Sequence, residues 1–339
     1  KIGAEAEQHV RFIYTEKERS LAERIFESLK LSLPLEKLRA GITTGKFSNG
    51  ETRVQIESSV RNMHVLIISQ IRTGFVNDDV MELLLTLDAC VRSGTSKITV
   101  ILPYYPYSRS DKKDHPRCPI AAALIAKLLS SSHIDNLVSL DLHAGQIQGF
   151  IERGFHNLYM KNNICDHMFN DYLKFYNQLE WNQRFVLIAP DAGSARAVKG
   201  YSKILGINNV ILDKQRDYSK PGTVIGSRII GSPDDLKDKI GFIIDDMADT
   251  FGTLCSAAKV LVEYGIRYVI VFVTHGVLSG PAIENINATP HIKEVVVTDT
   301  LSQEHNLIKC PKLRVISCAE LIARSVDGIL TGRSVSRLF

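Results

Sequence analysis

The sequence predicts an α/β protein built from mostly parallel sheets with helices on both faces, arranged as two similar domains. Three observations predict it. Short apolar runs of strand character alternate with amphipathic runs of helical period. Glycines close the helical runs, at Gly94, Gly206 and Gly265. The order "VLIIS", helix, Gly94, "ITVIL" in the first half is echoed by "GFIID", helix, Gly265, "YVIVFVT" in the second. At 339 residues the chain exceeds the roughly 250–300 at which a single core stops growing.

Taken in order, "HVRFIY" reads as a strand, and Ser20 to Leu31 as a helix with Leu21, Ile25, Phe26 and Leu29 on one face. "VLIIS" is the next strand. Asp78 caps a helix carrying Val80, Leu83, Leu84, Leu87 and Val91, and "ITVIL" follows. Pro119 opens a helix at its favoured first position, and "NLVSL" is a strand. Then come "FVLIA", a helix through Ala197 to Leu205, "NVILD", "GFIID", a helix from about Thr253 to Tyr264, "YVIVFVT" and "EVVVT". The expected domains are 1–165 and 166–325, with the tail, about 326–339, packing back on the first.

Composition narrows the function classes. Apolar residues make up 45% and charged residues 23%, as in a soluble globular protein. A net charge of +4 is too weak to argue for nucleic acid. No apolar run approaches the roughly 20 residues of a membrane span. The opening residues lack the apolar core of a signal peptide, and the six cysteines form no CxxC pair, so a cytoplasmic setting with free thiols is expected.

Chemistry concentrates at predicted strand ends. "GFIIDDMADTFGTL" runs from an apolar strand into Asp245, Asp246 and Asp249, then into Thr250, Gly252 and Thr253 at a helix start. Free N–H groups there, with the two threonine hydroxyls, suit a phosphate, and the acids suit a neighbouring pair of sugar hydroxyls, directly or through a metal. Solvated acids on a capped helix are the plain alternative. In "APDAGSARAV", Asp191 suits Mg²⁺, and Ala192, Gly193 and Ser194 suit a pyrophosphate lying against backbone; a capped turn is the alternative. From Arg109 to Arg117 five of nine residues are basic, counting His115, which reads either as a loop over a polyphosphate or as a solvated face. His143 follows "NLVSLDL" at a strand end, where it suits a metal or phosphate.

The acidic stretch resembles the ribose 5-phosphate loop of the type I phosphoribosyltransferase fold. "KFSNGE", "YSRSDKKDHPRCPI", "DLHAGQIQGF", "PDAGSARAV", "DKQRD", "IIDDMADTFGT" and "THGVLSGPA" together resemble class I ribose-phosphate pyrophosphokinases, from about residue 10 to Phe339. The resemblance implies two phosphoribosyltransferase-like domains and transfer of the β,γ-diphosphoryl group of MgATP to ribose 5-phosphate, giving PRPP and AMP for nucleotide synthesis. It places ATP on Phe47, Asn49 and Glu51 of a neighbouring subunit, and on Arg109, Ser110 and His143. Ser110 stands where the family often has Gln. It makes Lys112, Lys113, Arg117, Lys214 and Arg216 the catalytic cations on mobile segments. It links His143 and Asp191 to metal, and assigns ribose 5-phosphate to Asp191 and the Asp245–Thr253 loop.

The resemblance further implies a homo-oligomer, a hexamer built from dimers, with inorganic phosphate as activator and ADP as inhibitor at Ser59, Arg61, Gln148, Ser334 and Ser336. "FIYTEKERSLA" and "SKPGTVIGSRII" depart from the family pattern. A catalytically silent associated subunit is the alternative function. The retained Lys112, Lys113, Arg117, His143, Asp191, Lys214 and Arg216 speak against it. A phosphoribosyltransferase that consumes PRPP would explain the acidic loop but not "SDKKDHPR" or "FSNGE".

Overall fold

A computed structural model describes residues 7–216, 224–231 and 235–334; side chains of 214–216 and 224–227 are outside the description. The chain divides into two compact units, Lys1–Tyr159 with Ser317–Phe339, and Met160–Ile316. Sequence periodicity puts the first boundary at 165/166; the chain crosses over slightly earlier, and the return to the first unit begins at Ser317 rather than near 326.

The first unit holds β1 (Val10–Ile13), α1 (Arg19–Leu29), β2 (Ile42–Lys46), β3 (Thr52–Ile56), β4 (His64–Ile68), α2 (Val76–Arg92), β5 (Lys97–Ile101), α3 (Ala121–Ser131), β6 (Asn136–Leu140) and β7 (Gly154–Leu158). Five strands form a parallel sheet in the order β1-β4-β5-β6-β7, and β2 and β3 pair antiparallel as a separate hairpin. The central strands are continuous apolar runs because helices cover both faces: Val65, Leu66, Val100, Leu137 and Val138 are buried.

Two predicted helix starts are corrected. Phe75, not Asp78, occupies the capping position of α2; Asp78 lies in its first turn, where it suits the helix dipole, and accepts a hydrogen bond from Lys46 Nζ at 2.6 Å. Pro119 lies two residues ahead of α3, and Ile120 takes the cap. Strand β7, with sequence "GFHNL", carries too little apolar signal to read as a strand, yet pairs along its length with β6.

The second unit holds α4 (Lys161–Asp171), β8 (Phe185–Ala189), α5 (Ala195–Leu205), β9 (Asn209–Arg216), β10 (Val224–Ile230), β11 (Ile240–Ala248), α6 (Gly252–Glu263), β12 (Tyr268–Gly276), α7 (Ala282–Ala288), β13 (Ile292–Thr298), α8 (Glu304–Lys309) and β14 (Leu313–Ile316). Its sheet runs β10-β9-β8-β11-β12-β13-β14, and every pairing is parallel except β9 with β10. The stretch "SKPGTVIGSRII", which looks like an insertion, supplies all of β10. The last helix, α9 (Ala319–Thr331), belongs to the first unit and packs on α1 and β7.

Chain order in the second sheet reverses between β8 and β11. The chain builds outward from β8 through β9 to β10, then returns to the other side of β8. In an open parallel sheet the loops at such a reversal diverge and leave a crevice beyond the carboxyl ends of the strands. The loops that open there follow Ala189 and Ala248.

Candidate active site

The acids at the reversal are held by the strand itself. β11 does not stop at "GFII", as expected from the apolar run, but continues through the acids to Ala248. The reason lies in its neighbours. Pairing with β8 ends at Ile243, whereas pairing with β12 continues, Asp245 opposite Val273 and Met247 opposite His275. Asp245 and Asp246 therefore sit on rigid backbone with one flank open.

Their electrostatics are strained. The Asp246 N–H donates to Asp245 Oδ1 at 3.0 Å. Burial, together with the neighbouring charges of Asp246 and then Asp191, pushes the Asp245 carboxyl up to about 8. Repulsion from Asp191 ties the loop after β8 to the acids of β11. In that loop Asp191 Oδ1 accepts from Ser194 N at 3.0 Å and Ser194 Oγ at 3.2 Å. A Cβ at Gly193 would stand 3.2 Å from Asp191 Oδ1, tight enough that the carboxylate would have to shift by a few tenths of an ångström.

Beyond β11 the chain enters α6 through Phe251, whose φ of +66° is left-handed. Such a conformation costs a bulky residue on the order of 1–3 kcal/mol, and its buried ring offsets this by anchoring in the core. A phenyl ring has no acceptor, so the side chain at the capping position leaves the first-turn N–H groups of α6 uncapped. Thr250, Gly252 and Thr253 are exposed around them. A Cβ on Gly252 would meet nothing closer than Thr250 Oγ1 at 3.8 Å, so the protein leaves room there. Asp249 is placed differently from the other two acids: Ser279 Oγ donates to its Oδ1, and Ser279 N to its carbonyl at 3.1 Å. Sequence reasoning gave Ser279 no role, although it lies in the quoted "THGVLSGPA".

The remaining predicted residues divide between the units. Phe47, Asn49 and Glu51 lie at the turn of the β2–β3 hairpin, exposed, with Arg53 over the Phe47 ring at 5.9 Å. Glu51 N donates to Asn49 Oδ1 at 3.1 Å. Arg109, Lys112, Lys113 and Arg117 are exposed on the loop between β5 and α3, and His143 is exposed after β6. Ser110 is committed to the base of that loop. Its Oγ accepts from Ala121 N at 3.2 Å and donates to the Pro119 carbonyl at 3.4 Å, which closes the loop's two ends on each other. This short side chain is thus not free to replace the reach of a Gln.

The backbone of Lys214 and Arg216 lies on β9, opposite Ser227 and Val224 of β10. Ser59, Arg61 and Ser334 are exposed, and Gln148 donates to the Gly145 carbonyl at 2.9 Å; all four belong to the first unit, and Ser336 lies outside the described residues.

The second α/β unit thus sets carboxylates beside a helix start that carries no side-chain cap, at a reversal of its sheet. Residues 10–132 match the N-terminal domain of ribose phosphate pyrophosphokinase, and residues 186–339 match the phosphoribosyl synthetase-associated domain. Over 321 residues the chain is 39% identical to ribose-phosphate pyrophosphokinase A of Dictyostelium discoideum, covering 95% of each. It is equally 39% identical over 321 residues to ribose-phosphate pyrophosphokinase 3 of Saccharomyces cerevisiae, covering 95% of this chain and 94% of that one. The crystal structure of phosphoribosylpyrophosphate synthetase from Mycobacterium smegmatis superposes with a TM-score of 0.83 at 30% identity, covering 96% of this chain and 99% of that one. The chain belongs to the ribose-phosphate pyrophosphokinase family, whose members are diphosphate-transferring enzymes.

A first prediction concerns Gly252. Replacement by Ala should leave thermal stability within about 1 kcal/mol, since the site is open and Ala favours a helix. Where this loop meets phosphate, as the resemblance implies, the added methyl enters the space through which backbone approaches the ligand, and ribose 5-phosphate binding should weaken by about tenfold or more. Calorimetry with ribose 5-phosphate, beside a melting curve, checks both halves.

Proposed function

We propose that the chain transfers the β,γ-diphosphoryl group of MgATP to the anomeric hydroxyl of ribose 5-phosphate, giving PRPP and AMP. The observation that supports this most is the end of β11, where two acids on rigid strand stand beside an uncapped helix start. Asp245 and Asp246 take the ribose hydroxyls. Thr250, Gly252, Thr253 and the first-turn amides take the 5-phosphate. Phe47, Asn49, Glu51, Arg109 and His143 take ATP. Lys112, Lys113, Arg117, Lys214 and Arg216 neutralise charge as it spreads over the transferred group, since phosphoryl transfer needs positioning and charge neutralisation more than covalent chemistry.

The donor set suits Mg²⁺ held jointly with substrate. Among the described residues no three His, Cys, Asp or Glu side chains are grouped to hold a metal ion. Mg²⁺ commonly takes one or two carboxylates and completes its shell with phosphate oxygens and water. Asp191, exposed and with Oδ1 already oriented by Ser194, would serve it on the sugar side, and His143 on the nucleotide side. When bound, the ion would neutralise phosphate charge.

The test is AMP release from MgATP, with and without ribose 5-phosphate. Release that requires the sugar phosphate supports the reading. No release in the presence of Mg²⁺ and inorganic phosphate would overturn it in favour of a silent associated subunit. Running the assay without phosphate, and with ADP added, tests the regulatory assignment of Ser59, Arg61, Gln148, Ser334 and Ser336. Among the described residues no helix is long and apolar enough to cross a membrane.

We also propose that the working form is a homo-oligomer whose ATP is contacted by a neighbour's hairpin. β2 and β3 form a two-stranded sheet with an exposed tip, and Phe47 is 52% accessible. The base of the hairpin is held by α2 and by Ile42 and Ile56 against the core, whereas the aromatic at its tip is left exposed and would gain from a partner. Mixing a Phe47→Ala, Glu51→Ala double variant with Lys214→Ala should restore part of the activity that each lacks. Failure to recover after subunit exchange has been verified by mass would show that each chain completes its own ATP site.

A further inference from the structure

The phosphate loop is gripped from behind by a segment the reaction does not otherwise use. Leu278 N donates to the Ala248 carbonyl at 3.0 Å, and Ser279 N to the Asp249 carbonyl at 3.1 Å. Ser279 Oγ donates to Asp249 Oδ1. From α7, Asn285 Nδ2 donates to the Thr250 carbonyl at 2.9 Å. The acceptors are the last residue of β11 and the next two, stopping immediately before left-handed Phe251.

The grip is itself supported. Leu278 takes a left-handed φ of +46° and is buried. The Asn285 carbonyl accepts from Thr289 Oγ1 at 2.8 Å and from Cys255 Sγ at 3.5 Å, which ties α7 to α6, the helix that starts the phosphate site.

We infer that Ser279 and Asn285 are positioning residues for ribose 5-phosphate, and that Asp249 acts as the carboxylate that receives this brace rather than as a sugar ligand. The inference rests on the ribose 5-phosphate reading of the Asp245–Thr253 loop. The N–H groups that would meet the phosphate belong to backbone whose direction is set at Asp249 and Thr250. Holding both carbonyls and one carboxylate oxygen of that pair fixes where the next amides point. A loop fixed before the ligand arrives binds it without an ordering cost. Asp245 and Asp246, on paired strand, need no such help.

The test uses the full-length enzyme. Ser279→Ala should raise KM for ribose 5-phosphate about tenfold, the scale of one lost hydrogen bond to a charged group. KM for ATP and the melting temperature should stay close to the parent values. Ser279→Thr, which keeps the hydroxyl, should restore most of the affinity. Asn285→Ala should act in the same direction and more weakly, because it holds a neutral carbonyl. Equal rises in both KM values, or a Thr variant as impaired as the Ala variant, would overturn the brace and leave a merely structural serine. Gly252→Ala separates the two levels. If it weakens ribose 5-phosphate binding and Ser279→Ala does not, the brace alone is wrong. If Gly252→Ala has no effect on that ligand, the loop assignment fails and the brace falls with it.

Discussion

Lys214→Ala should lower kcat by about 10²–10³-fold and leave KM for both substrates within a few-fold. The expectation comes from where the charge is needed. Negative charge spreads over the moving diphosphoryl group in the transition state, and a cation brought to it contributes there more than in the ground state. Removing one preorganised charge partner typically costs on the order of 3–4 kcal/mol. β9 carries the backbone of Lys214 and Arg216 past the last residue paired with β8, Ala189 opposite Ile211, onto a ribbon shared only with β10 among the described strands. Arg at the same position should rescue poorly, since a planar fork does not replace a compact ammonium. Steady-state kinetics on the purified variant decide it. An unchanged kcat would remove Lys214 from the reaction.

Much of this arrangement is legible in the sequence, for a physical reason. Strands buried on both faces must be apolar throughout, so "VLII", "FVLIA" and "GFII" announce themselves, and β8 is buried at every position. Glycine at a left-handed helix end is equally readable, as Gly206 at φ +70° shows for α5. The hairpin was not legible: "ITTGK" and "TRVQI" hold no fully buried residue and touch the core only through partly buried side chains such as Ile42 and Ile56. Nor was the true end of β11, because it depends on β12 running longer than β8, a property of neighbours rather than of the segment. Ser110 shows the same limit. Its identity departs from the family, and only the fold reveals that its hydroxyl closes a loop onto the start of α3. A side chain that acts on backbone, such as that of Asn285, leaves no composition signal at all.

Asp245→Asn should make the ligand-free protein more stable at alkaline pH while lowering ribose 5-phosphate-dependent turnover by about 10²-fold or more. The two effects have one cause. In the folded chain Asp245 is partly buried against Asp246 and Asp191, and its carboxyl is pushed up to about 8, whereas in the unfolded chain it titrates near 4. A raised pKa means that the folded state holds the proton more tightly. Its contribution to stability is full below about pH 4, declines as pH rises, and is lost above about pH 8. Asparagine resembles the protonated acid and keeps an oxygen for the Asp246 N–H, so it carries no such loss. The melting temperatures of the parent and the variant should therefore nearly coincide at pH 4 and separate progressively up to pH 8, with the variant higher. Ribose 5-phosphate with Mg²⁺ should narrow the gap for the parent alone, because ligand binding stabilises the state that can bind it. This is the expected signature of an active site that stores repulsion for a ligand to relieve. A stability difference independent of pH would mean that Asp245 is ionised without strain, and the acids of β11 would then be an ordinary solvated cluster.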